Sequence, residues 1–422
     1  MKKLLLVFLM AGILAVTTAG AEDLNDAITG MLASHDRMAA ADADVLAAEN
    51  AARVALGRWF PNINLTSELG VAREDTQTTD LQDEHMDPAL FEAKLTQLLW
   101  DFGKTNGEVR KARAGYEKAV AARDNTRQAL VLEGVTAYLK LKQAEEQLAY
   151  ALKSEDSIKK QANMENTRIS AGQGYSTDAL QAKAQLLGAE ARLTRVEGLL
   201  QGAKNRAQNV FNRPADEIAG LTMGGSVTGL LPSTLEEAID VSLQNSPELK
   251  VANNMVQQAE EQYKASKADA YYPVINGVLD YNYKNDYGAI DPIRQESLAF
   301  VEVKYDFDLG FTSLNSARSA KESYRAAVKN RDDLKNEVVE NVRNAWQNVL
   351  TADKNAKLLR DQADIVAQFL DLAKKERKLG RRSLLDVLSA EVSLINAQSD
   401  AAAAEADVTI HAYSLLKSMG KL

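Results

Sequence analysis

The chain has 422 residues, a formal net charge of −9, no cysteine and three histidines. The acidic balance disfavours nucleic acid as a main partner, because phosphate binding needs a basic face. The lack of cysteine excludes disulfides, thiolate metal sites and a cysteine nucleophile. Aromatic residues make up 6% of the chain and prolines number seven, which favours long helices over a compact α/β enzyme.

Residues 1–21 have the pattern of a secretory signal peptide. Lys2 and Lys3 precede an apolar run over 4–16, and Ala19-Gly20-Ala21 is a small-residue cleavage site. An apolar run of about 13 residues is too short to span a bilayer comfortably. We therefore expect residues 1–21 to be removed and the protein to leave the cytoplasm.

The remaining chain divides into two halves that echo each other, over 22–211 and 235–422. The matching segments are Trp59-Phe60-Pro61 with Tyr271-Tyr272-Pro273, Ala137-Tyr138 with Ala345-Trp346, and Gly172 and Asp178 with Gly380 and Asp386 at a constant offset of 208 residues. Ordered matches of this kind indicate an internal duplication. The segment 212–234 between the halves contains Pro214, Gly224-Gly225, Gly229 and Pro232, so we expect an irregular connector, the equatorial region of the fold.

Each half predicts a helix, a β-hairpin, a long helix and a shorter helix. The hairpins are expected over 62–100 and 274–308, the long helices over 103–170 and 310–379, and the last helices over 175–211 and 383–419. Neither 103–211 nor 310–422 contains proline, so nothing interrupts a helix there. Apolar residues in the long helices recur in steps of four and three, which is the coiled-coil period. A helix over 103–170 would be roughly 100 Å long at about 1.5 Å per residue.

Four segments alternate apolar and polar residues as strands do, namely 63–71, 91–99, 275–283 and 299–307, with exceptions at Leu98, Val278 and Phe300. Their length matches the roughly 9–11 residues that a tilted transmembrane strand needs. Aromatic residues cluster at one end of the strands, as an interfacial girdle would: Trp59, Phe60, Trp100, Tyr271 and Tyr272. Four strands cannot close a barrel, because the smallest membrane barrels have about eight. Two or more copies of the chain would have to share one barrel.

Two other readings of the pattern remain open at this point. The strands could form a soluble β-domain with one solvated face, and the chain could then be a periplasmic coiled-coil scaffold or adaptor without pore activity. An enzyme is the second alternative, but the sequence has no Ser/His/Asp set, phosphate loop or metal-ligand spacing. We therefore expect no enzymatic activity, no cofactor and no metal site.

With its duplicated halves and one hairpin per half, the sequence resembles the TolC family of outer-membrane efflux proteins. The resemblance rests on the strand-to-helix junctions Trp100-Asp101-Phe102-Gly103 and Phe307-Asp308-Leu309-Gly310, and on the turns at Gly172/Asp178 and Gly380/Asp386. It implies a mainly α fold with transmembrane β-hairpins, in which a homotrimer shares a 12-stranded β-barrel. The barrel would continue into a long periplasmic α-helical coiled-coil tunnel.

The resemblance also implies a location and partners. The protein would sit in the outer membrane lipid of a Gram-negative bacterium, with a large periplasmic portion. It would serve efflux or type I secretion together with a periplasmic adaptor (membrane fusion) protein and an inner-membrane transporter of the ABC, RND or MFS type. The substrate and the particular transporter stay open.

The turns between the long and short helices carry charges that tight turns do not require. The second turn is basic, with Lys374, Lys375, Arg377, Lys378, Arg381 and Arg382, which suits an entrance held by ion pairs. The resemblance assigns Arg382 and Asp178 as a gate pair and Asp386 as a ring carboxylate. Arg377 stands where the family often has tyrosine, and Ser389 where a second ring acid would stand.

The same resemblance implies roles for two other groups of residues. The turns 171–174 and 379–382 would dock the adaptor, through Gly172, Gly174, Gly380 and Arg381. Trp100, Gly103, Phe307 and Gly310 would form the strand-to-helix junctions.

Overall fold

The structure is a computed structural model that describes residues 22–74, 84–172, 176–224, 227–285, 293–306 and 308–422. The signal segment 1–21, Gly174, Phe307 and the strand connections at 75–83 and 286–292 lie outside the described residues. Among the helices that are described, none has a stretch both long and apolar enough to cross a membrane.

Helices account for most of the described residues. They are α1 (Leu24–Ser34), α2 (Asp36–Gly57), α3 (Lys104–Ser170), α4 (Ser176–Phe211), α5 (Ala215–Ala219), α6 (Leu235–Asn245), α7 (Pro247–Tyr271), α8 (Thr312–Lys378) and α9 (Leu384–Ser418), with a 3₁₀ turn at Val227–Leu230. The strands are β1 (Asn62–Leu69), β2 (Ala72–Glu74), β3 (Glu84–Met86), β4 (Ala89–Trp100), β5 (Val274–Asn285) and β6 (Ile293–Lys304). The long helices α3 and α8 have 67 residues each.

Contacts divide the described residues into two compact units. Those of the first unit lie within 22–35, Leu130–Leu230 and Val349–Tyr413. The second unit comprises Asp36–Ala129, Leu231–Asn348 and Ser414–Leu422.

Coiled-coil packing forms the core of the first unit, at the positions that the sequence period predicts. Leu130, Leu141 and Ile158 of α3 are fully buried, as is Leu388 of α9. Many of the remaining buried positions are alanines, so neighbouring helices approach closely. Ile158 and Ala162 of α3, Ala182 and Ala189 of α4, and Leu384 and Leu388 of α9 form one apolar cluster. The predicted seam is therefore confirmed.

The segment between the halves is tied to the first unit by a few polar contacts. Thr222 forms a parallel bridge with Asp23. The hydroxyl of Tyr138 donates to the Leu221 carbonyl at 2.9 Å. The helix α5 and the 3₁₀ turn interrupt an otherwise irregular backbone here.

The main sheet of the second unit has the strand order β1-β4-β5-β6, and every neighbouring pair is antiparallel. Pairing in register creates rows across the sheet, such as Ile63, Leu95, Leu279 and Ala299. A register shift lies between Leu98 and Trp100. In a single chain, β1 and β6 each keep one edge without a strand partner among the described residues.

The two faces of this sheet differ in polarity. One face carries the apolar row just named, and large side chains on it are exposed: Ile63 at 63%, Leu65 at 65% and Val303 at 64%. The other face carries rows such as Asn64, Lys94, Asp280 and Leu298, or Thr66, Glu92, Asn282 and Glu296. Leu298 and Phe300 place apolar groups on the mostly polar face, which explains why the alternation is imperfect there.

An aspartate caps the start of each long helix. The Asp101 carboxylate accepts from the backbone N–H of Gly103 at 3.1 Å and of Thr105 at 2.6 Å. Asp308 accepts in the same way from Gly310 at 2.9 Å and Thr312 at 2.7 Å. Such bonds satisfy N–H groups that a helix start leaves unpaired. The pKa of the Asp308 carboxyl is held below its ordinary value, first by a hydrogen bond from the Thr312 side chain and then by the backbone N–H of Gly310.

Aromatic rings surround the first junction. Phe102 stacks on Tyr272 with ring centroids 4.8 Å apart, and Trp100 meets Phe102 edge-on at 6.2 Å. Phe102 has a φ of 55°, in the left-handed region, which costs strain for a residue with a side chain. The Asp101 bonds and the ring stacking hold it there.

Two shorter helices flank α3 in the second unit. From one side, α7 contributes Asp269, which bonds Lys104 at 2.5 Å, and Glu261, which bonds Arg110 at 2.7 Å. From the other, α2 contributes Asp42, which pairs with Arg123, and Arg58, directly after α2, pairs with Glu108. Gly107 allows close approach of α7, because a Cβ built on it would lie 3.1 Å from the Ala265 Cβ.

The Asp101 cap should be important for stability. We expect Asp101→Ala to lower the free energy of unfolding by about 1–2 kcal/mol, because the buried Thr105 N–H loses its acceptor. Thermal unfolding followed by circular dichroism measures this. Asp306→Ala is the matched control, since its carboxylate is 82% exposed and 3.7 Å from Lys304. Equal shifts in the two variants would contradict a capping role.

The ion pairs of Glu261 with Arg110 and Lys264 should make the free energy of unfolding depend on pH. Burial would raise the pKa of Glu261, but hydrogen bonds from Lys264 and Arg110 outweigh burial and leave the pKa below its ordinary value. A lowered folded pKa gives stability that is present above the unfolded value of about 4.3 and is lost as the pH falls through the folded value.

Glu261→Gln should therefore destabilise the protein at pH 7, and its difference from the wild type should shrink as the pH falls below about 4. Urea unfolding at several pH values measures this. Glu260→Gln, whose carboxylate is 39% exposed, should show a weaker effect. A Glu261→Gln penalty that is constant with pH would argue against the charge as its cause.

Candidate functional site

The helix turns of the first unit hold the densest set of charges that the sequence singles out. α3 ends at Ser170 and α8 ends at Lys378, and each is followed by a glycine with positive φ, 72° at Gly172 and 73° at Gly380. A side chain is strained at such a φ, so glycine is the residue that suits these turns.

The turn after α8 is built from backbone bonds. The N–H of Gly380 donates to the Arg377 carbonyl at 2.9 Å, and the N–H of Arg381 donates to the Glu376 carbonyl at 3.0 Å. This pair of bonds is the Schellman arrangement, which ends a helix sharply. The Ser383 hydroxyl then accepts from the Asp386 N–H at 3.1 Å and caps α9. Two backbone bonds and one side-chain cap therefore fix how α8 leads into α9.

A buried carboxylate of α3 joins this turn. The Glu165 side chain is 5% exposed, and its Oε2 lies 3.1 Å from Nη2 of Arg377 and 3.5 Å from Nη1 of Arg168. Arg377 also donates from Nη1 to the Arg382 carbonyl at 3.3 Å. One guanidinium thus ties α3, the end of α8 and the following turn together.

Arg382 has partners within its own hairpin. Its Nε donates to Oε2 of Glu376 at 2.7 Å, and its guanidinium lies over the Phe369 ring, 5.2 Å from the centroid. The structure does not bring Arg382 to Asp178 within one chain; Asp178 lies in the first turn of α4 and is partly exposed. The predicted pair of Arg382 with Asp178 of the neighbouring hairpin is therefore not formed in the single chain and stays a prediction.

The other predicted residues of the turns are exposed. Asp386 lies in the first turn of α9 and Arg381 in the turn before it, and both face solvent in the single chain. Gly172 and Gly380 have nothing within 4 Å of where a Cβ would be, so their outer surface is open. Gly174 is outside the described residues.

A second buried carboxylate fixes α8 to α9. Glu391 of α9 is 8% exposed, and its Oε2 lies 2.8 Å from Nζ of Lys374. Beside it, Leu370 and Ala373 of α8 pack on Val387 and Ala390 of α9. The hairpin is thus joined by an apolar seam and by an ion pair that is largely shielded from water.

The sequence interpretation missed Glu165 and Glu376 as partners of the two arginines. A signal for Glu165 existed. Apolar residues of α3 recur in steps of four and three, and a step of three from Ala162 followed by a step of four to Ile169 passes through position 165. A charged residue on an apolar seam needs a buried partner. Glu376 lies among several charges of the last turn of α8, and its pairing depends on how the turn places Arg382.

A sequence model for the family described as outer membrane efflux protein matches residues 27–212 and 238–421. The chain belongs to the outer membrane efflux protein family. The resemblance to the TolC family is thereby confirmed, as is an outer-membrane location. Members of this family are efflux channels rather than enzymes.

Individual relatives are distant but match over most of their length. The outer membrane efflux protein BepC of Brucella suis is 24% identical, over 99% of this chain and 89% of its own. The outer membrane protein TolC of Salmonella enteritidis is 22% identical, over 85% of this chain and 75% of its own. The crystal structure of VceC from Vibrio cholerae superposes with a TM-score of 0.80 at 18% identity, over 94% of this chain and 96% of that one. The fold is therefore that of an outer-membrane efflux protein.

The pair of Arg377 and Glu165 should be the costliest ion pair of this site to break. Arg377→Met leaves a carboxylate buried with Arg168 as its remaining neighbour, so we expect a loss of about 3–5 kcal/mol in the free energy of unfolding. Arg377→Met with Glu165→Leu removes both charges and should recover most of that loss. Urea unfolding of the singles and the double measures the coupling.

Lys375→Met is the matched control, because its pair with Asp371 has side chains 66% and 63% exposed and should contribute less than about 1 kcal/mol. A double variant as unstable as Arg377→Met alone would mean that the loss comes from packing and not from the unpaired charge.

Proposed function

We propose that this protein is the outer-membrane channel-tunnel of a tripartite export system, in efflux or type I secretion. Substrate would pass from an inner-membrane transporter and a periplasmic adaptor to the outside. The observation that carries the proposal is the four-stranded sheet with two open edges and one apolar face, capped directly onto two 67-residue helices. Family membership supports the channel function, and the sheet supplies the reason for the assembly.

The sheet edges require other copies of the chain. In lipid, each backbone group without a hydrogen bond costs several kcal/mol, so an open edge is not tolerated. Because the order β1-β4-β5-β6 is antiparallel throughout, β6 of one copy is antiparallel to β1 of the next. Three copies of a four-stranded sheet supply the 12 strands that the family resemblance implies. The shared barrel is therefore a homotrimer.

The apolar face turns outward in such a barrel. Ile63, Leu65 and Val303, exposed in the single chain, then face outer-membrane lipid, while the rows with Asn64, Lys94 and Glu92 line the water-filled side. Trp100, with its ring 57% exposed, and Tyr272 lie at the junction where a girdle of aromatic side chains meets the lipid headgroups. Gly103, Phe307 and Gly310 belong to the same junctions between strands and helices.

The long helices form the periplasmic tunnel, and the turns at their far ends meet the partners. The turns with Gly172 and Gly174, and with Gly380 and Arg381, dock the adaptor. The open space around Gly172 and Gly380 in the single chain supports this role. The transporter that the adaptor recruits is of the ABC, RND or MFS type, as the family resemblance implies.

The entrance is gated by charges at the same turns. Arg382 of one copy pairs with Asp178 of the next, in competition with its own Glu376. Three Asp386 carboxylates around the axis repel one another and attract cations. Arg377 has a different role from the tyrosine that the family often has there, since its contact with Glu165 lies within one chain.

Conductance of the purified protein in a planar bilayer tests the channel and the gate together. Wild type should give small, flickering currents. Arg382→Ser with Asp178→Ala should raise them, because three exposed pairs of about 0–1 kcal/mol each shift the closed–open equilibrium by up to about 3 kcal/mol, or roughly 100-fold. Lys378→Ser removes an exposed charge from the same helix end and should leave the currents unchanged.

Single variants separate the partners of Arg382. Asp178→Ala removes the contact between copies and should open the entrance, whereas Glu376→Gln removes the competitor within the chain and should not. Large wild-type currents that no variant changes would keep the channel and contradict the gate. Protein that is soluble without detergent and does not insert would instead support a periplasmic scaffold.

A further inference from the structure

Four apolar side chains interrupt the polar face of the four-stranded sheet and lie next to one another there. Three of them, Leu98, Val278 and Phe300, are the positions at which the sequence departs from strand alternation, and Leu298 is the fourth. Val278 is directly opposite Phe300, Leu298 lies two residues before Phe300 on β6, and Leu98 is diagonal to Val278. Opposite residues have Cβ atoms about 4.5–5.5 Å apart. The four side chains therefore form one contiguous patch, which we call the Phe300 patch.

The Phe300 patch is open to solvent in the single chain. Phe300 is 44% exposed and Leu298 is 47% exposed, whereas Val278 is only 2% exposed. Val278 thus forms the base of the patch, and the two residues of β6 form its outer surface. In the proposed barrel this face lines the water-filled side, where contact between apolar groups and water is unfavourable. A molecule that covers the patch would relieve this contact.

A second copy of the chain does not supply an apolar cover. Phe300 and Leu298 lie on β6, the edge strand that borders β1 of the next copy in the proposed barrel. On the same face, β1 carries the polar residues Asn62, Asn64 and Thr66. A barrel of 12 strands is about 24 Å across between opposite backbones, so the patches of three copies stay apart on the wall. Each patch therefore remains accessible from the lumen.

Two carboxylates flank the patch. Asp280 is directly opposite one of the two patch residues on β6, and Glu302 follows Phe300 by two positions on the same strand. The hydrogen bonds that they accept come from side-chain amides, from Asn282 to Asp280 at 3.0 Å and from Asn276 to Glu302 at 3.2 Å. Amides orient the two carboxylates but do not neutralise them. Both acids thus keep a negative charge beside an apolar surface.

The nearby rows of the sheet carry more acids than bases. Lys94 is directly opposite Asp280, but among the described residues no ion pair joins the two. In the next row away from the helices, Glu92 and Glu296 are two further acids on the same face, and Glu296 lies 3.8 Å from Arg294. The surroundings of the patch therefore attract positive charge.

We propose that the Phe300 patch is a binding site for amphipathic cations on the wall of the barrel. The apolar part of such a molecule covers Phe300 and Leu298 and is removed from water. Its positive charge is attracted by Asp280 and Glu302 and by the face of the Phe300 ring. This proposal rests on the proposed channel and names the class of substrate that the channel favours, namely molecules with both apolar surface and a positive charge.

Protection of a thiol tests the site, because the chain has no cysteine of its own. Thr96 is half-buried and shares a row with Val278 and Phe300, so Thr96→Cys places a thiol beside the patch and removes no apolar member. The variant is labelled in detergent with a neutral maleimide in the presence of tetraphenylphosphonium. Bound probe should slow labelling by one plus the ratio of free probe to its dissociation constant, which is about fivefold at a ratio of about four.

Two further probes separate charge from apolar surface. Tetramethylammonium carries the positive charge without aromatic rings, and tetraphenylborate has the same shape as tetraphenylphosphonium with the opposite charge. We expect both to protect the thiol much less. Equal protection by tetraphenylborate would contradict the preference for cations, and equal protection by tetramethylammonium would contradict a role for the apolar residues.

Second substitutions in the Thr96→Cys protein identify the residues that bind. Phe300→Asn should raise the dissociation constant of tetraphenylphosphonium about tenfold, and Glu302→Gln should raise it about two- to fivefold. Leu90→Asn and Glu68→Gln are the matched controls. They remove an apolar residue and an acid that lie opposite each other on the same face, and Leu90 is about 20 Å from Thr96 along β4. Neither control should change the dissociation constant.

Conductance in a planar bilayer separates this proposal from the proposed function. A protein that conducts but shows no protection, or protection that Phe300→Asn leaves unchanged, would overturn the site and leave the channel standing. Absence of current would contradict the channel, whereas protection that is lost in Phe300→Asn and kept in both controls would still support the site. A Thr96→Cys thiol that the maleimide does not reach would show that this face is not water-filled, and the site would fall with it.

Discussion

The free edges of β1 and β6 are the constraint on which the rest of this molecule depends. A single chain supplies four paired strands, and the backbone groups along the two outer edges have no strand partner among the described residues. Such edges invite pairing with another chain even in water, and a membrane makes the pairing obligatory. The apolar face with Ile63 and Val303 exposed is the second sign that the sheet is incomplete alone. Both features are explained when the strands of several copies close on one another.

Strand order constrains how the helices are arranged, because each of these helices is next to its strand along the chain. The Asp101 and Asp308 carboxylates hold the first turns of α3 and α8 through two backbone bonds each. α3 begins four residues after the end of β4, so it cannot move far from that strand, whereas α8 begins eight residues after the end of β6. The contacts of α3 with α2 and α7 agree with this order. One antiparallel sheet therefore orders both the strands and the helices of the second unit.

Periodicity made the seam of the long helices predictable, since Leu130, Leu141 and Ile158 fall on a strict pattern and all are fully buried. The strands could also be predicted from the sequence. The polarity of their faces could be predicted only in part, because Leu298 and Phe300 depart from the alternation. The partners of Arg377 and Arg382 could not be predicted from spacing. Glu165 lies more than 200 positions from Arg377 along the chain, and the choice of Glu376 depends on the backbone bonds of the Gly380 turn. Contacts that depend on the exact end of a helix are set by its terminating bonds and not by its period.

The charges at the turns differ in how much energy is needed to separate them, and this difference bears on how an entrance could open. Removing one partner of the buried pair of Glu165 and Arg377 costs about 3–5 kcal/mol, and an apolar cluster already joins α3, α4 and α9. A pair of partly exposed charges, such as Arg382 with the proposed partner Asp178, contributes about 0–1 kcal/mol. Partner binding would therefore separate the copies at their exposed charges before it separated the hairpins within a chain. Arg377 therefore acts within one chain, where it joins α3 to the end of α8 and to the following turn.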